Sequence, residues 1–226
     1  LTIDSSVKIL DAGAFTNSTL TSAIIPNSVT RIGDAAFYGT PLTSVTIGTS
    51  VTSIGINAFT DTLLTSVTIP NSVVSIGIGA FSNIPLTSVT IGNSVTRIGD
   101  AAFYGTKLTS VVIPNSVISI GPNAFRDTRL TSVIIPNSVT DIGCQVFAGI
   151  LTLTTISIPD NLEPRCATTE VNFERNYSLT RIEYCGKFAS FPVTPTCPPE
   201  RQALIDAAKA GAAAADKVTA NKAAAE

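Results

Sequence analysis

Serine is the residue best placed to do chemistry in this chain. It recurs at Ser22, Ser44, Ser66, Ser88, Ser110 and Ser132, each 22 residues after the last. A serine hydroxyl becomes a nucleophile only beside a base, and the chain contains no His, the commonest general base and metal ligand. Cysteine catalysis at Cys144, Cys166, Cys185 or Cys197 lacks its His for the same reason. Zinc has no close CxxC pair to hold it. Glu163, Glu170, Glu174 and Glu183 could pair as acid and base. They fall in an irregular stretch where charge is explained by exposure. The residues therefore point away from an enzyme, and no catalytic site, metal or cofactor is expected. A net charge of −2 gives no pull toward nucleic acid or anionic lipid. No run of 18 apolar residues exists to insert in a membrane.

What repeated hydroxyls can do is bind. Beside the serine row runs a second row, Thr46, Thr68 and Thr90, bounded by Ile24, Val112 and Ile134. Asn27, Asn71, Asn93, Asn115 and Asn137 make a third. Long rows of this kind suit a recognition face. They also suit a soluble β surface whose Ser, Thr and Asn cap backbone groups, the reading preferred for the Asn row. A Thr array on a flat sheet admits ice or crystal-surface binding as a minor alternative. Against it, a further row, Thr30, Thr52, Thr96 and Thr140, is broken by Val74 and Ile118. Arg31, Arg97, Arg126 and Arg129 could anchor an acidic partner, and otherwise are solvated. Asp34, Asp61, Asp100 and Asp127 do not stack in adjacent coils, so no calcium ladder follows.

The elements that must position these rows come from one unit, L-T-S-V-T-I-P-N-S-V-T-x-I-G-x-x-A-F-x-x-T-x. A fixed period of this length predicts a solenoid. Val45-Thr46-Ile47 alternates with period two, hence a strand with Val and Ile inward and Ser44 and Thr46 outward. Gly48 or Pro70 ends the strand. Val51 and Ile54 predict a second short extended segment. Gly55 follows, read as a backbone angle that other residues resist. Ala58-Phe59 packs inward on a turn. Phe15, Phe37, Phe59, Phe81, Phe103, Phe125 and Phe147 keep the 22-residue period and predict a stacked aromatic spine. Ser28–Thr40 and Ser94–Thr106 are identical, which marks duplication of a three-coil block.

The register slips at Leu153 and Leu179, which lie 23 and 26 residues after their predecessors. Four domains are expected: 1–150 regular repeats, 151–190 irregular C-terminal capping repeats, 191–199 a Pro-rich linker, and 200–226 an Ala-rich helix or stalk start. Leu1-Thr2-Ile3 aligns with Ala23-Ile24-Ile25, so the chain is expected to be a fragment or a processed form. Even-numbered cysteines at one end suggest a stapled cap and an oxidising compartment, the alternative being free buried thiols. Three pairings are possible. Cys144-Cys166 is preferred, because equivalent places in adjacent coils lie about 5 Å apart. Cys185-Cys197 would then tie the last strand to the linker.

The unit LTSVTIPNSVTSIGxxAF resembles the BspA-type leucine-rich repeat, over residues 1 to about 185. Here most units are 22 long, one residue shorter than the form associated with that family. The resemblance implies a right-handed, β-rich leucine-rich-repeat superhelix, here of about eight coils. It also implies a secreted or cell-surface protein, several such proteins being implicated in adhesion. The expectation is a non-catalytic module binding a protein or glycan ligand on another cell or in the extracellular matrix. Its face would be Ser22, Ser44, Thr46, Ser66, Thr68, Ser88, Thr90, Ser110 and Ser132. The alternative is a rigid structural spacer on a cell surface.

Overall fold

The computed structural model describes residues 1–159, 162–164, 176 and 178–183. Its strands, in chain order, are β1 (Ile9–Leu10), β2 (Ser22–Ile24), β3 (Arg31–Ile32), β4 (Ser44–Thr46), β5 (Ser53–Ile54), β6 (Ser66–Thr68), β7 (Ser75–Ile76), β8 (Ser88–Thr90), β9 (Arg97–Ile98), β10 (Ser119–Ile120), β11 (Ser132–Ile134), β12 (Asp141–Ile142), β13 (Thr155–Ser157), β14 (Glu163–Pro164) and β15 (Arg181–Glu183). All pairings are parallel, and along the second-strand row they step by 22 residues from Ile9↔Arg31 to Asp141↔Glu163. The fold is a parallel β-solenoid of about seven turns. Its first turn is joined by a bridge from Thr2 to Ile24, the alignment read from the sequence.

The core lies along the axis. Val, Ile, Leu, Ala and Phe of successive coils form one buried cluster. Phe37, Phe59, Phe81, Phe103, Phe125 and Phe147 are fully buried, and with Phe15 they stack with ring centroids 5.1–5.7 Å apart. The expected spine is there, offset-stacked at the distances aromatic pairs favour. A main-chain ladder holds it. At each of the six junctions between Phe turns, three alternate N–H groups donate to the next coil, as Ala35, Phe37 and Gly39 do to Ile56, Ala58 and Thr60 carbonyls.

The eight-stranded sheet is not the Ser/Thr one. It is β1-β3-β5-β7-β9-β10-β12-β14, the segment expected to be secondary. The expected single outward Ser/Thr row is broken into β2-β4, β6-β8 and β11-β13-β15, and residues 110–112 form no strand. The residue after each strand explains most of this. Gly48 and Gly92 settle so close on Pro26 and Pro70 of the coil beneath that a Cβ would fall on the proline carbonyl oxygen. The pairs β2-β4 and β6-β8 close there. Where the upper coil carries Pro70, Pro114 or Pro136, the ring offers no N–H and occupies that space, and the junction beneath has no strand pairing. Pro26 and Pro159 depart from the rule: Thr2 bridges Ile24 beneath the first, and β11 and β13 pair beneath the second, with an offset of 23 residues.

The glycine after the second strand also has a different cause from the one expected. Gly33, Gly55, Gly77 and Gly99 do not adopt the left-handed region. A Cβ at Gly55 would lie 2.5 Å from the carbonyl carbon of Gly33. Close backbone stacking, not an unusual angle, excludes a side chain. The left-handed residues sit instead on either side of each Phe, for example Asn57 at φ 53° and Asp61 at φ 57° around Phe59. At the far end, buried Asn176 accepts from the Ile150 N–H at 2.8 Å and donates to the Phe147 carbonyl at 2.7 Å. In earlier coils Thr40, Thr62 and Thr106 donate to the carbonyl of the Phe three residues before them; Ile150 stands at that place after Phe147, and Asn176 makes the bond instead. The linker at 191–199 and the Ala-rich helix expected at 200–226 lie outside the described residues.

Candidate functional site

Ser22, Ser44, Ser66, Ser88 and Ser132 each open a strand of the interrupted face, and all five are exposed. Thr46, Thr68 and Thr90 close three of those strands. Cα register places Ser22 beside Ser44 and Ile24 beside Thr46, then Ser66 beside Ser88 and Thr68 beside Thr90. Ser110 is exposed but lies outside any strand, between two open junctions.

Hydrogen bonding divides the hydroxyls into two classes. Thr43 and Thr87, at the strand entrance, donate to Thr21 and Thr65 carbonyls of the coil beneath, each at 3.0 Å. Thr30, Thr52 and Thr96, flanking the second sheet, donate to Lys8, Thr30 and Val74 carbonyls at 3.0–3.2 Å. Asn27 and Asn71 accept from the Thr49 and Asn93 N–H groups at 2.8 and 2.9 Å. These residues cap backbone, as preferred for the Asn row, while Asn93, Asn115, Thr21, Thr65 and Thr109 of the same rows have no side-chain hydrogen bond among the described residues. By contrast, Ser22, Ser44, Thr46, Ser66, Thr68, Ser88, Thr90, Ser110 and Ser132 have no side-chain hydrogen bond among the described residues. Their hydroxyls are uncommitted.

The open junction between β4 and β6 adds a concavity. An open groove of about 410 Å³ is lined here by Val45, Thr46, Ser66, Thr68 and Pro70 and extends to Ser88 of β8. Val45 and Val89, on the N-terminal side of an open junction, are only half-buried, whereas Val67, on the C-terminal side of one, is buried. Sequence reasoning missed this groove. The signal for it was present in the order Gly48 then Pro70. Farther along the face the surface turns apolar: Val112 and Ile134 are 80% and 72% exposed.

Charge plays little part here. No residue lining the groove is ionisable. Of the expected anchors, Arg126 is engaged by Asp127 at 3.5 Å and by the Gln145 side chain. The Asp34 carboxylate accepts from the Ile56 N–H at 2.8 Å. Asp4, held below the usual carboxylate range by hydrogen bonds from the Ser6 side chain and N–H, lies in the first turn, away from the face. Cys144 is disulfide-bonded. Its partner, and with it the expected pairings Cys144-Cys166 and Cys185-Cys197, lies outside the described residues. Among the described residues no helix is long and apolar enough to cross a membrane.

A leucine-rich repeat protein from Bacteroides ovatus superposes with a TM-score of 0.59 at 27% identity, over 82% of this chain and 55% of its own. A leucine rich cell surface protein from Faecalibacterium prausnitzii aligns at 26% identity and a TM-score of 0.43, over 78% of this chain and 63% of its own. The pneumococcal vaccine antigen PcpA aligns at 16% identity and a TM-score of 0.42, over 91% of this chain and 85% of its own. The chain thus spans about half the length of the Bacteroides protein. No curated protein sequence matches it. The BspA type leucine rich repeat region matches in six copies across residues 1–107 and 96–192, and the chain belongs to that family.

Proposed function

We propose that the chain is a non-catalytic recognition module that binds a protein or glycan through the face built by Ser22, Ser44, Thr46, Ser66, Thr68, Ser88 and Thr90. One observation carries the reading: these exposed hydroxyls are unspent and continue across the β4–β6 groove, whereas Thr43, Thr87, Asn27 and Asn71 beside them are consumed in coil-to-coil bonds. The family, a bacterial surface-protein repeat, supports an adhesion-type role. The bonded state of Cys144 supports a secreted or cell-surface location, since disulfides persist in oxidising compartments. The β12–β14 pairing has the 22-residue offset that separates Cys144 from Cys166, which favours that bridge.

The test is capture of host-cell surface components by the purified chain and by Ser66→Arg and Thr68→Arg variants. Both positions are exposed and outside the core, so the melting temperature should be unchanged while capture is lost. Undiminished capture would move the binding surface elsewhere. A chain that captures nothing, before or after substitution, would be a rigid spacer.

A further inference from the structure

We propose that the groove above the β4–β6 junction is a subsite for an uncharged sugar of a glycan. This rests on the recognition-face reading and names its ligand class. Without a charged residue in the lining, an anionic or cationic group entering the groove would leave water and find no counter-charge. A neutral, hydroxyl-bearing ligand has no such cost.

The polar groups of the groove are of mixed kind. Thr46, Ser66 and Thr68 hydroxyls each donate and accept. Ile47, also in the lining, has an N–H with no partner among the described residues, whereas its equivalents Ile25 and Ile69 donate to Thr46 and Thr90 carbonyls at 2.9 and 2.8 Å. A sugar hydroxyl donates and accepts at once and can satisfy such a set in several orientations. Val45 and the Pro70 ring supply an apolar wall for the C–H face of a pyranose. The volume, about 410 Å³, lies within the range of small-ligand sites.

A peptide strand fits less well. Adding a strand between two coils would require them to part to twice the strand spacing, about 9.5 Å. Phe59 and Phe81 of those coils are held 5.2 Å apart, and the second strands β5 and β7 remain paired. Only small groups can reach the unpaired Ile47 N–H.

The test applies the purified chain to an array of neutral hexose and N-acetylhexosamine oligosaccharides, sialylated and sulfated oligosaccharides, and intact and enzymatically deglycosylated glycoproteins. Retention on neutral oligosaccharides is expected. It should weaken about tenfold in the Ser66→Ala/Thr68→Val double variant. It should be unchanged in Thr52→Val, whose hydroxyl bonds the Thr30 carbonyl elsewhere. Retention only on sialylated or sulfated sugars, or retention indifferent to the double variant, overturns the proposal. Binding only to deglycosylated protein overturns the sugar while leaving the recognition face standing. No retention on any surface removes both.

Discussion

The glycine ladder beside the second sheet offers a prediction in which the sign alone is decisive. In Gly77→Ala the new methyl would stand 2.6 Å from both the carbonyl carbon and oxygen of Gly55, and 2.8 Å from the Ile54 oxygen. These are main-chain atoms, so no side chain can rotate aside. The Gly77 N–H is bonded to that same Ile54 carbonyl at 2.9 Å. Ordinary contact begins near 3.4 Å, so the coils must part by most of an ångström on this side. Overpacking of this kind costs about 1–3 kcal/mol. Alanine returns about 0.4–1 kcal/mol by restricting the unfolded chain. The net expectation is destabilisation of about 1–2 kcal/mol, read as a lower urea midpoint by circular dichroism. Because Gly77 is outside the left-handed region, alanine would stabilise the chain if stacking were not the constraint. A midpoint equal to or above that of the unsubstituted chain would refute the close-stacking argument.

Phe103→Ala should cost about 3–5 kcal/mol, since Phe103 is fully buried and stacked at 5.5 and 5.3 Å on Phe81 and Phe125. Phe15→Ala, at the end of the spine with one ring neighbour and only partial burial, should cost less in the same urea titration. Ala35 and Ala101 both sit at φ 52°, a strained angle for a residue with a Cβ. Ala35→Gly and Ala101→Gly should each raise stability by up to about 1 kcal/mol, seen as an upward thermal shift. Asn176→Ala removes both cap bonds to buried backbone and should cost about 2–3 kcal/mol. Faster amide exchange at Ile150 would locate that loss at the end of the spine, and unchanged exchange would deny Asn176 a capping role.

The architecture was legible because its cause is periodic. Seven Phe at one spacing can share a core only by stacking, and the alternation at Val45 and Ile47 fixes which side of the strand faces it. What could not be read depends on atoms from two coils at once. Whether β4 pairs with β6 turns on which of Gly48 and Pro70 lies above the other. The sequence presents them as interchangeable strand ends. Thr30 and Thr46 look alike in the repeat, yet one hydroxyl meets the Lys8 carbonyl and the other meets nothing. The role of Gly55 was assigned to angle because a short approach to Gly33 leaves no mark in one coil's sequence. Asn176 lies 29 residues from Phe147, off the period, so no repeat position announced it.

The openness of the Ser/Thr face follows from how the coils are held. Two of the three main-chain ladders, the eight-stranded sheet and the Phe turn, persist through the regular repeats. They fix the coil spacing without help from the third, so strand pairing there can lapse, as it does beneath Pro70, Pro114 and Pro136. Along this face glycine follows the strand only at Gly48 and Gly92, and the strand-closing residues run Ile24, Thr46, Thr68, Thr90, Val112 and Ile134, so open junctions do not present the same residues. Below Pro70 the opposed residues are Thr46 and Thr68. Below Pro114 they are Thr90 and the exposed Val112. One junction is therefore lined by hydroxyls on both sides and the next is half apolar. Outward positions that vary from coil to coil give a regular scaffold a non-repeating surface, and a recognition site on such a solenoid can be local even though every core is built alike.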